Sequence, residues 1–117
     1  MEPHILESLE ERLEPAHTAL LIIDMQKDFC TDGFATSKAN RPLGAAQRII
    51  PGIQKLLGSA RETGVLVCHV GFWTFPDHMS DSGPWLTQRR RATYASDKIG
   101  IADTEGAEFI KELEPRE

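Results

Sequence analysis

The sequence predicts an α/β protein built on a parallel sheet, and three observations carry that prediction. The runs "ALLII" (residues 19–23) and "VLVCHV" (65–70) are apolar without alternation, as strands buried on both faces of a parallel sheet are. Between them Ala46, Ile49, Ile50, Ile53, Leu56, Leu57 and Ala60 recur at helical spacing. Gly64 then supplies a helix stop directly before the second run. Strand, amphipathic helix, stop and strand make a βαβ unit, whose strands run parallel and whose crossover is normally right-handed.

The remaining elements follow in chain order. "ILESLEERLEP" sets Ile5, Leu6, Leu9 and Leu13 at helical spacing, which predicts a short amphipathic N-terminal helix stopped near Pro15. "KDFCTDGFATSKANRPLG" is rich in turn formers and has no sustained period, so it reads as a long loop. The helix over 43–63 contains Pro51, which either kinks it or occupies the first turn of its main part. Beyond Trp73 the pattern weakens into a turn-rich segment with a short helix around Trp85 to Arg91. Long loops of that kind in compact domains are usually functional walls. "GAEFIKELEP" closes the chain as a short helix or turn.

Bulk properties narrow the function classes. The chain has 117 residues, enough for one core, with 40% hydrophobic and 26% charged residues, the proportions of a globular domain. A net charge of -5 argues against nucleic acid as a partner. No apolar run approaches the roughly 20 residues of a membrane span, so no membrane partner is expected either. The acidic start lacks the basic and apolar regions of a signal peptide. Two cysteines, Cys30 and Cys68, are too few for a disulfide scaffold, and a reducing cytoplasmic location is the plain expectation.

One feature is out of place in this scheme. Asp24 arrives directly after the most apolar run, with no basic residue beside it. In an open parallel sheet, ligands bind beyond the carboxyl ends of the strands, so an acid there projects into that crevice. No Gly-rich loop follows it, which argues against a dinucleotide site.

At "ALLIIDMQKDF", with the following "RIIPGIQKLLGSARETGVLVCHV", the chain resembles the isochorismatase-like cysteine hydrolases. The order of elements supports the resemblance over residues 4–73. The later "SDSGPWLTQRRRATYASDKIG" and "GAEFIKELEPRE" look most like members acting on ureides and related small amides, such as biuret, triuret or ureidoacrylate. The resemblance implies a partial three-layer α/β/α (Rossmann-like) parallel sheet, with residues 1–117 as the N-terminal part of one domain. It implies a thiolate that attacks an amide or ureide carbonyl, with backbone amides holding the oxyanion. Asp24 would be the general base, and a lysine would orient it. Phe29 matches a family aromatic that lines the pocket. No cofactor or metal is implied.

The family's lysine and nucleophilic cysteine have no counterpart among these residues, since both follow a segment like "ELEPRE". Two strands and one crossover helix also leave one sheet face and the strand edges without partners. The expectation is therefore a front half, completed by a complementary C-terminal half or by homo-oligomerisation. The rival expectation is a non-catalytic subunit that acts only through association.

Other chemistry-bearing residues have plainer readings. Cys68, inside an apolar run, is expected to be buried and inert. Cys30 is the thiol expected nearest Asp24, but it does not match the nucleophile's position. His69, Asp77 and His78 lack the spacing of the metal-binding nicotinamide hydrolases. Arg89 to Arg91 read either as a solvated helix face or, with Trp85 and Tyr94, as part of a subunit interface.

Overall fold

The computed structural model describes residues 1–92 and 96–116. Tyr94, one of the residues considered for an interface, lies outside them. The α/β class and the parallel pairing are those predicted. β1 (Ala19–Ile23) and β2 (Leu66–Val70) form a two-stranded parallel sheet among the described residues, in register from Ala19 opposite Leu66 to Ile23 opposite Val70.

The intervening helix, designated α4 (Gly44–Thr63), packs on one face of this sheet. Three short helices precede it. They are α1 (Leu9–Arg12), α2 (Lys27–Cys30) and α3 (Ala35–Lys38). The segment expected to be plain loop thus holds two helical turns, each too short to leave a readable period. Pro51 sits inside an unbroken α4. Gly64, in the left-handed region at φ 75°, ends that helix, and the Val65 N–H closes onto the Ala60 carbonyl at 2.9 Å.

The core lies between α4, the inner sheet face and the C-terminal segment. Ile22, Met25, Leu57, Ile110 and Leu113 are buried together, with Leu20, Ile50, Ile53 and Val67 packed against them. Only part of the helical stripe is used, because Ile49 and Leu56 remain exposed. The opposite sheet face carries Leu21 at 53%, Ile23 at 55% and Leu66 at 63% exposure. That asymmetry follows from one crossover helix covering one face.

The predicted N-terminal helix shrinks to the single turn α1. A capping box holds it, with Ser8 Oγ accepting the Glu11 N–H at 3.1 Å and Glu11 accepting the Ser8 N–H at 2.9 Å. The backbone N–H groups of Ser8, foremost, and Glu7 donate to the Glu11 carboxylate and lower its pKa from the usual value. Its apolar residues Ile5, Leu9 and Leu13 are exposed rather than packed on the sheet.

After β2 the chain passes through α5 (Gly83–Arg91), close to the predicted short helix, and then returns along the ends of both strands. Three 3-10 turns, Ser96–Lys98, Glu105–Ala107 and Lys111–Leu113, punctuate the return. Gln26 bridges Phe109 antiparallel and Thr74 bridges Ile101 parallel. Among the described residues no helix is long and apolar enough to cross a membrane.

Candidate active site

Asp24 follows the last residue of β1, and its backbone explains how an acid comes to stand there. Its N–H donates to the Val70 carbonyl at 2.8 Å, extending the sheet by one step. The chain then turns sharply, with Asp24 at φ 57° and its carbonyl accepting the Gln26 N–H at 2.8 Å. Asp and Asn are the side-chain-bearing residues that best tolerate this left-handed region, so the turn itself selects for them. The carboxylate is left exposed at the strand end and borders a cavity of about 290 Å³.

Phe29, one turn further along in α2, lines the same cavity, as does Phe72 just after β2. Their rings meet edge-on at 62°, with centroids 6.5 Å apart. Asp24 and Phe29, the two residues singled out from the sequence, are thus brought together.

Between them, Gln26, Lys27 and Asp28 clamp the returning chain. Gln26 is 0% exposed. Its Nε2 donates to the Phe72 carbonyl at 3.0 Å and the Ala107 carbonyl at 2.7 Å, while its Oε1 accepts the Phe72 N–H at 2.7 Å. Asp28 is buried and accepts from the N–H groups of Gly100 at 2.8 Å and Ala35 at 3.2 Å. A Cβ at position 106 would collide with the Asp28 carboxylate, so Gly106 is what lets the two segments close. Lys27 Nζ lies 2.7 Å from Glu108 and 3.1 Å from Glu105, and those two carboxylates raise its pKa, Glu108 foremost. The "DMQKDF" run therefore positions one acid at the cavity and ties the cavity's loops to the sheet.

The far wall was not legible from the sequence. Arg89 is not on a solvated face, being only 3% exposed, whereas Arg90 and Arg91 are exposed. Its Nη1 donates to both Asp81 oxygens at 3.1 and 3.0 Å, its Nη2 to the Ile99 carbonyl at 3.1 Å, and its guanidinium lies over the Phe72 ring. His78 Nδ1 also contacts Asp81, at 3.0 Å. Trp85, on α5, lines the cavity beside Arg89, and Thr36 and Arg41 line it from the stretch expected to be loop. Nothing in composition or period distinguished Arg41.

The remaining candidates resolve simply. Cys30 is buried in the core cluster and does not line the cavity; burial, and secondarily Glu112, push its thiol pKa up. Cys68 is half-buried rather than enclosed. His69 Nε2 lies 2.7 Å from the Leu113 carbonyl. Among the described residues, no three His, Cys, Asp or Glu side chains are grouped to hold a metal ion. Nor is there a cysteine or lysine among the described residues lining the cavity.

A carboxylate at a strand end, an aromatic-walled cavity and a parallel sheet beneath it are compatible with many activities, so the geometry alone names none. Residues 18–117 match the isochorismatase domain, and the chain belongs to the isochorismatase family. It is similar to a probable inactive nicotinamidase of Arabidopsis thaliana, 34% identical over 99 residues, which are 83% of this chain and 45% of that protein. It is also similar to the ureidoacrylate amidohydrolases of Agrobacterium fabrum and Rhizobium rhizogenes, each 32% identical over 72 residues. Those residues make up 62% of this chain and 32% and 29% of the two proteins. The chain spans less than half the length of the curated relatives it matches.

Proposed function

We propose that this chain supplies the general-base half of a cysteine hydrolase that cleaves a C–N bond in a small linear amide or ureide. The observation that carries the reading is Asp24, held by its turn at the mouth of an aromatic-walled cavity whose size suits a small substrate. Similarity to ureidoacrylate amidohydrolases supports the substrate class.

In this reading Asp24 takes the proton of a cysteine thiol as the sulfur attacks the carbonyl carbon. The C–N bond breaks, and Asp24 returns the proton to the leaving nitrogen. Water then releases the acyl or carbamoyl group from sulfur, restoring the thiol. Phe29 and Phe72 supply the apolar wall against which a small substrate would be held beside the carboxylate.

The cysteine and the lysine that orients Asp24 come from polypeptide beyond residue 117 or from a second chain. The exposed apolar sheet face at Leu21, Ile23 and Leu66 supports completion by further structure.

A second reading has a specific observation behind it, the similarity to a relative described as probably inactive. In that case the chain is a non-catalytic subunit acting through association. Native mass spectrometry of the protein, coupled to ammonia release from small amides and ureides, separates the two. Turnover that disappears when the thiols are alkylated is the result expected of the hydrolase. A folded assembly that binds partner chains without turnover supports the subunit reading instead.

A further inference from the structure

One peptide unit behind the cavity is held at both ends by buried charges. The carbonyl of the Ile99–Gly100 peptide accepts Arg89 Nη2 at 3.1 Å, and its N–H donates to Asp28 Oδ2 at 2.8 Å. Its dipole is thereby aligned, with the negative end on the guanidinium and the positive end on the carboxylate. Ile99 lines the cavity. Gly100 stands in the left-handed region at φ 67°, where a Cβ would strike the Phe72 ring, and its carbonyl accepts the Thr74 N–H at 2.7 Å.

The second oxygen of Asp28 serves a different wall. Oδ1 accepts the Ala35 N–H at 3.2 Å, and Ala35 opens α3, whose next residue, Thr36, lines the cavity. One buried carboxylate, not itself among the lining residues, thus spans from the α3 wall to the Ile99 wall.

The choice of acid has a physical reason. An ionised carboxylate only accepts, so it holds two N–H donors at once. An amide of the same shape has one donor end, which would face an N–H and push that wall away. We propose that Asp28 is the positioning residue of this cavity. By holding Ala35 and Gly100 it sets the separation of the walls that carry Thr36 and Ile99, and so the length of ligand that fits between them. This rests on reading the cavity as the substrate site. Loss of either bond lets the walls part, which costs a short ligand more of its contacts than a longer one.

The test is a ratio of affinities, which a merely less stable protein leaves unchanged because both ligands lose binding sites equally. Biuret and triuret are neutral and differ by one carbamoyl unit. Each is titrated calorimetrically into the protein in its native assembly, carrying Asp24→Asn so that no turnover intervenes. Adding Asp28→Asn should shift the affinity ratio toward triuret by at least about fivefold, close to the worth of one hydrogen bond. Asp28→Ser, whose single oxygen serves one wall, should shift it the same way. A ratio within about twofold of the parent's in either folded variant overturns the role of Asp28 and leaves the substrate-site reading standing. Failure of both variants to fold also overturns it, since the residue then serves the fold rather than the cavity. Absence of binding by either ligand to the parent overturns both readings.

Discussion

The Gln26 side chain pairs with the backbone of Phe72 in both directions, donating to its carbonyl at 3.0 Å and accepting its N–H at 2.7 Å. The amide thereby acts as one further rung of the sheet, beyond the point where β1 and β2 separate. Its third bond, to the Ala107 carbonyl at 2.7 Å, ties in the returning chain. Removing it strands three backbone groups, each worth about 1–3 kcal/mol when left unpaired in a buried site. Gln26→Leu is therefore expected to lose at least about 3 kcal/mol by urea denaturation. A loss below about 1 kcal/mol would show that the rung is dispensable.

The Arg89–Asp81 pair gives a coupled prediction. Both side chains are almost wholly buried, so removing one takes a buried charge partner away from the other. Arg89→Met or Asp81→Leu alone should each cost about 3–5 kcal/mol. The double variant should cost much less than their sum, because no orphaned charge remains between them. Additive losses in the double-mutant cycle would refute the coupling.

Cys30 makes stability depend on pH. Burial raises its thiol pKa in the folded chain, so the native state holds that proton more tightly than the unfolded state does. Its contribution is complete below the ordinary thiol range and is lost as pH rises from about 8.5 through the raised native value. Denaturation at pH 7.5, 8.5 and 9.5 should show stability falling more steeply for the parent than for Cys30→Ala. Alkylation followed by peptide mass mapping should label half-buried Cys68 before Cys30. Identical pH slopes, or faster labelling of Cys30, would count against its enclosure.

How much could be read beforehand depends on the range of the interactions involved. β1, α4 and β2 are written in local apolar periodicity, and Asp24 and Phe29 in a short run of chain. The turn α2 is fixed instead by distant contacts, such as Asp28 accepting the Gly100 N–H, and α3 is tied to it where Asp28 accepts the Ala35 N–H; neither leaves a local period. Arg89 looked like part of a solvated charge run because its counterion, Asp81, sits in an unpatterned loop eight residues earlier. Arg41 faces the cavity through the closure of a four-residue helix that the sequence does not announce.

The most direct test of Asp24 as the base compares the full-length protein with its Asp24→Asn variant in hydrolysis of small ureides. Asn also tolerates the left-handed turn at φ 57°, so the fold and melting temperature should be unchanged while proton transfer is lost. A fall in kcat of at least about 100-fold is the predicted result, in line with the usual contribution of a general base. Turnover within about twofold of the unsubstituted protein would contradict the assignment.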